Sequence, residues 1–187
     1  MSVETEREGQ ADGPLAGYAE PDERPPLAAY ATFAAVFHGA MAGAVVAAKR
    51  SGRDLPERVD PSDLALIGTA SYKLSRLVAK KKVTAFVRAP FTELEGRGGP
   101  AELEEHARGT GLQRAIGELL TCPYCLGLWA SGGFHIGLLF APRTTRFSAS
   151  VLSAMAISDF LQIAYRAASS STKNSNPMSG SSVSWLW

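Results

Sequence analysis

Gly117-Glu118-Leu119-Leu120-Thr121-Cys122-Pro123-Tyr124-Cys125-Leu126-Gly127-Leu128-Trp129 opens a stretch that runs on without charge through Pro142 to Arg143. Between Glu118 and Arg143 lie 24 residues with no Lys, Arg, Asp or Glu. At about 1.5 Å rise per residue a helix of that length covers about 36 Å, enough to cross a hydrocarbon core of about 30 Å. Both cysteines of the chain, Cys122 and Cys125, stand at the entrance to the run. The stretch predicts a membrane helix over residues 119–142 with a dithiol at one end. It points to a class of protein and to no reaction.

Two further runs agree with that class. Residues 25–48 are charge-free and Ala-rich, with Phe33, Val36, Phe37, Val45 and Val46, and residues 147–165 are interrupted only by Asp159. An Ala-rich helix in a globular core reads the same way, but buried soluble helices as long as 119–142 usually keep a polar face. Residues 63–78 differ: Leu64, Ile67, Leu74 and Val78 recur at helical spacing, Lys73 and Arg76 interrupt them, and Lys80-Lys81-Lys82 follow. Pro61 and Ser62 give the start, and Asp63 suits the positive end of a helix dipole. An amphipathic helix lying in the bilayer interface or partly inserted is expected, with a spanning helix as the alternative. The fold class is therefore an all-α membrane protein, with about three transmembrane helices, one amphipathic helix and disordered tails.

At 187 residues the chain is one compact unit. Residues 1–26 carry seven acids against Arg7 and Arg24 and read as a disordered acidic tail. They lack the basic start and short apolar core of a signal peptide. Residues 27–166 form the helical membrane domain, and residues 167–187 form a Ser-rich disordered tail ending in Trp185-Leu186-Trp187. Residues 49–118 hold thirteen basic and ten acidic side chains, and no basic stripe with interleaved aromatics appears, so nucleic acid is not an expected partner. Basic flanks favour the cytoplasm. With three spanning helices, Lys49, Arg50 and Lys80–Lys82 share the inner face and the acidic N-terminus lies outside.

Residues 63–159 resemble a bacterial family of small integral-membrane proteins known only as domain of unknown function 1360. Two blocks carry the resemblance. One runs Asp63-Leu64-Ala65-Leu66-Ile67-Gly68 through Lys73-Leu74-Ser75-Arg76-Leu77, continued by Val83-Thr84-Ala85-Phe86-Val87-Arg88-Ala89-Pro90-Phe91. The other is the Gly117–Trp129 stretch quoted above. The resemblance implies a multi-pass protein of the bacterial cell membrane and brings no activity, cofactor or site residue with it.

The residues themselves offer three kinds of chemistry. Cys122-Pro123-Tyr124-Cys125 has the spacing of a redox dithiol, and Pro123 opening a helix puts Cys122 at the N-terminus, where N–H groups stabilise a thiolate. No βαβ pattern precedes it, so a thioredoxin-like enzyme is not expected. Zinc needs four ligands, and Cys122 and Cys125 supply two, with His106 a third candidate or a second copy completing the set. The bland reading makes both thiols small apolar fillers beneath Trp129 and Tyr124, reduced and slow to react. Asp159, Arg76, Lys73 and His135 are ionisable groups in or beside apolar runs, and Asp159 is expected to pair with Arg76 or Lys73, or to accept a hydrogen bond from His135. His38 reads as a packing hydrogen-bond donor. Ala35, Gly39, Gly43 and Ala47, then Gly133 and Gly137, then Ser150, Ala154 and Ser158 recur every fourth residue, a spacing that lets membrane helices approach closely. Residues 93–111 read as a polar loop with a short acidic helix over 101–106, whose Glu102, Glu104 and Glu105 face solvent.

The expected function is that of a non-enzymatic interaction or scaffold component of the bacterial cell membrane, with no resident cofactor. The bilayer and a second copy or another membrane protein are its partners. The rival is a thiol-redox or metal-binding protein using Cys122 and Cys125.

Overall fold

The computed structural model describes residues 25–174. The expected tails fall outside the described residues apart from 25–26 and 167–174, the latter being helical. α1 spans Leu27–Arg50 and follows two prolines that cannot continue a helix backwards. It stops at Gly52, whose φ of +67° gives the left-handed turn that closes many helices. α2 spans Pro61–Lys80. Its N-cap is Asp60, whose carboxylate accepts the Ser62 N–H at 2.8 Å, and Pro61 follows at the first helical position.

A 3₁₀ turn (Lys82–Thr84), a short α3 (Ala85–Arg88) and two strands follow, β1 (Thr92–Arg97) and β2 (Leu103–Ala107). The strands pair antiparallel, Thr92 opposite Ala107 and Arg97 opposite Leu103, with an irregularity between Leu94 and Gly96. This hairpin replaces the expected polar loop and acidic helix. Then come α4 (Gly111–Thr121), α5 (Pro123–Phe140) and α6 (Pro142–Asn174).

The decisive uncharged run is therefore not one helix. Cys122 (φ −97°, ψ 104°) and Ala141 (φ −141°, ψ 62°) leave helical geometry, and a proline restarts the helix after each. α5 keeps 18 residues, or about 27 Å, and gives 119–121 to α4. Among the described residues two helices are long and apolar enough to cross a membrane, Leu27–Arg50 and Pro142–Ser170. The expectation of three such helices is corrected to two.

Contacts set the helix directions. Tyr30 donates to Glu118, Phe37 meets Trp129 edge-on, and Arg53 reaches the Leu139 carbonyl, so α1 runs parallel to α5. Asp63 meets Arg146, the Leu66 carbonyl meets Ser153, and Lys73 meets Asp159, so α2 runs parallel to α6. Gly127 lies beside Ser75, and Gly137 is pressed against Thr145, consistent with α5 running opposite to both α2 and α6. The result is an up-and-down bundle in which α2 packs on both α5 and α6 while α1 leans on α5. Small residues are buried on these two helices: Ala70 on α2, and Ala149, Ser153 and Ala156 on α6. Close approach of backbones follows from that choice.

Two expectations change with this arrangement. The amphipathic helix does not lie outside the others but is the central one. Arg50 and Lys82 stand at opposite ends of the bundle, and residue 25 shares the end that holds Lys80–Lys82.

Candidate functional site

Every charged side chain of α2 has a partner on another element. At its N-terminal end Asp63 takes the Arg146 guanidinium two-pronged, Nε to Oδ1 at 2.8 Å and Nη2 to Oδ2 at 2.6 Å. Halfway along, Lys73 Nζ donates to Asp159 Oδ2 at 2.5 Å. Lys73 is nearly inaccessible, its side chain 6% exposed against 47% for Asp159. Toward the C-terminal end Arg76 donates to Glu102 at 2.8 Å and Lys80 to Glu104 at 2.9 Å, while Lys81 just beyond lies 3.2 Å from Glu102. Glu102 and Glu104, two of the three glutamates that read as a solvated face, are thus the hairpin's attachment to α2. Burial alone would raise the Glu102 carboxyl, but hydrogen bonds from Arg76 and Lys81 outweigh it and hold it below the ordinary glutamate value. Asp60 is likewise lowered by the Ser62 hydroxyl and amide.

Arg88 is the residue that reading the sequence missed. Fully buried, it pairs with Glu105 and donates through Nη1 to the carbonyls of Val78 and Lys81 and to the Thr84 hydroxyl. It closes the α2 C-terminus, where the last carbonyls have no helical partner. The available signal was a lone arginine among Phe86, Val87, Pro90 and Phe91. Hairpin and α4 then lock together at Gly117, where a Cβ would come within 2.4 Å of the Phe91 carbonyl.

The dithiol turn sits at the same end. Cys122 is at once the C-cap of α4 and the N-cap of α5, as the proline spacing predicts, and its Sγ accepts the Cys125 N–H at 3.2 Å. The two cysteines are joined in a disulfide, Cα to Cα 5.3 Å, which corrects the expectation of reduced thiols. Cys125 is exposed, Cys122 half-buried, and the Tyr124 ring is 91% exposed, so neither sulfur is a filler beneath that ring. His106 is not brought to the cysteines: it lies on β2 with its ring nitrogens 3.4 and 3.3 Å from Glu93 and Glu95. Among the described residues no group of three or more His, Cys, Asp or Glu is placed to hold a metal.

Of the partners offered to Asp159, Lys73 is the one that meets it, and Arg76 and His135 are engaged elsewhere. Asp159 goes to Lys73 and Arg76 to Glu102, while His135 Nδ1 lies 2.8 Å from the Ser131 carbonyl of its own helix. His135 lines a cavity of about 450 Å³ at the far end, with Asp54, Arg58, Asp63 and Arg146. His38 stays within α1, 2.7 Å from the Ala34 carbonyl.

A family model described as protein of unknown function (DUF1360) matches residues 66–165. The match takes in most of α2, the hairpin, the dithiol turn and most of α6. A sporulation protein of Bacillus subtilis, YjcA, is 26% identical over 102 residues, covering 53% of this chain and 86% of that protein. The UPF0713 protein YngL of the same organism is 32% identical over 78 residues, covering 40% of this chain and 55% of its own length. No solved structure matches the chain.

Proposed function

The chain belongs to the family of unknown function DUF1360, and from that premise we propose that it is a multi-pass component of the bacterial cell membrane that works by docking other membrane helices. The carrying observation is the inverted distribution of polarity. The charged helix α2 lies inside, its charges paired, while the two apolar helices lie outside. Ala48 is the one buried residue of α1, and Phe147, Ile157, Leu161, Ile163 and Tyr165 of α6 are all more than half exposed. In water such surfaces carry a large penalty, and in lipid they carry none.

Docking is supported by a face the bundle leaves open. Ala35, Gly39, Gly43 and Ala47 of α1 are exposed, and a Cβ at Gly39 or Gly43 would meet nothing within 4 Å. Small residues at this spacing favour close helix–helix association in lipid. A second copy or another membrane protein fits there. One relative is named a sporulation protein, and we extend that context to this chain.

The test has two arms. Membranes carrying the full chain are washed at alkaline pH, and the protein is expected to stay in the pellet until detergent is added. Release by the wash would refute the membrane reading. Energy transfer between labelled copies in vesicles is then compared for the native chain and Gly39→Leu/Gly43→Leu. Loss of transfer in the variant supports docking through α1, and equal transfer refutes it.

A further inference from the structure

We propose that Cys122 and Cys125 form a thiol–disulfide exchange site for a protein dithiol that approaches over Tyr124. Three observations combine. The disulfide is accessible, with Cys125 on the surface and the neighbouring Tyr124 ring 91% exposed. It bridges residues three apart within one turn, so it ties no distant elements together. A cross-link closing so short a loop restricts the unfolded chain least, which leaves a structural role with little to explain it. Finally, Cys122 Sγ sits at the N-cap of α5 and already accepts the Cys125 N–H. An unpaired helix N-terminus is where a thiolate is stabilised, and a stabilised thiolate leaves readily in exchange.

The step follows from that placement. A thiolate of the incoming dithiol attacks exposed Cys125 Sγ; a new S–S bond forms there and the Cys122–Cys125 bond breaks. Cys122 leaves as a thiolate held by the α5 amides. The second thiol of the partner, losing its proton, then attacks the partner's own sulfur in the mixed disulfide and releases Cys125. The partner is oxidised from dithiol to disulfide by two electrons, the chain is reduced by two, and the two protons end on Cys122 and Cys125. Tyr124 offers a flat aromatic surface beside the attacked sulfur, a feature that serves a polypeptide partner and that a small thiol does not need.

The full chain, purified in detergent and oxidised, is tested with a Cys-x-x-Cys peptide in its reduced form and with dithiothreitol. New thiols are counted by alkylation and mass. Both reagents are expected to generate two thiols per chain while the helical circular dichroism is unchanged. Tyr124→Ala is expected to slow the peptide reaction about tenfold and to leave the dithiothreitol rate unaltered. In the Cys122→Ala variant a Cys-x-x-Ser peptide, activated as its mixed disulfide with thionitrobenzoate, is expected to be held on Cys125 as a lasting mixed disulfide, since neither chain then carries a second thiol to resolve it. A disulfide that opens only when the bundle is denatured would overturn the exchange site. A disulfide that dithiothreitol opens but the peptide does not, or equal slowing of both by Tyr124→Ala, would overturn the protein partner.

Discussion

At the scale of single residues, the asymmetry of Lys73 and Asp159 makes a definite forecast. The lysine is enclosed and the aspartate half open, so the two truncations are not equivalent. Asp159→Leu strands a cation with little access to solvent, at a cost of about 2–3 kcal/mol, below the range for a fully buried pair. Lys73→Met leaves a carboxylate that can still be solvated, and its cost is expected to be smaller. The double variant should recover most of the loss, so a cycle measured by denaturant unfolding in micelles should show strong coupling. Equal costs would refute the asymmetry, and simple additivity would mean that the pair contributes nothing. A second contrast tests packing. A methyl on Gly132 would sit 2.7 Å from the Phe37 ring, itself set edge-on against Trp129, while a methyl on Gly133 meets nothing within 4 Å. Gly132→Ala should therefore loosen α1 from α5 by about 1–3 kcal/mol. Gly133→Ala should be neutral or stabilise by up to about 1 kcal/mol through helix propensity. Proteolysis at the α1–α2 loop is a convenient readout of α1 release.

At the scale of elements, the hairpin is held to α2 by charge more than by apolar contact. Because the Glu102 carboxyl is lowered in the folded chain by Arg76 and Lys81, its contribution is fully present above its unfolded value of 4.5. It is lost as pH falls through the lower folded value. The protection of the β1 and β2 amides against hydrogen exchange, measured relative to the intrinsic rate at each pH, should fall as the native chain is acidified below 4.5. In Glu102→Gln that protection should be lower at neutral pH and change less with acid. The hairpin also marks where the sequence stopped being readable. Residues 92–107 have no apolar alternation, and what orders them is the set of partners on α2, which no local pattern contains. Proline and cap chemistry was legible: Pro61 opens α2 and Pro123 opens α5 with Cys122 at its cap. Pro142 carried the same signal at the start of α6, but the unbroken absence of charge outweighed it and fused three pieces into one span. The small-residue reading of α6 was one register off. Ser150, Ala154 and Ser158 are exposed, while the buried face is Thr145, Ala149, Ser153 and Ala156. Both faces are rich in small residues, and only α2 chooses between them.

At the scale of the whole molecule, the question is how many times the chain passes from one end of the bundle to the other. Charge counting favours three passes because it leaves α2, with Lys73 and Arg76, outside the apolar layer. The structure removes the reason for that choice. Asp63, Lys73, Arg76 and Lys80 are each matched by an opposite charge, so carrying α2 through the bundle exposes no unpaired charge, and α5 and α6 flank it. The bundle accordingly has two ends of different character. One holds Arg53, Asp54 and the α5–α6 junction at Ala141. The other holds residue 25, Lys82, the hairpin and the dithiol turn. The proposed multi-pass arrangement puts the two ends on opposite sides of a membrane, and labelling tests it. Single cysteines at Arg53, Lys82 and Gly98, introduced into a Cys122→Ser/Cys125→Ser chain, are exposed in intact cells to a maleimide that cannot cross the membrane. Lys82 and Gly98 should label alike, and Arg53 should label oppositely. If Arg53 and Lys82 were labelled from the same side, α2 would not cross with its neighbours. The paired charges along it would then need a different explanation.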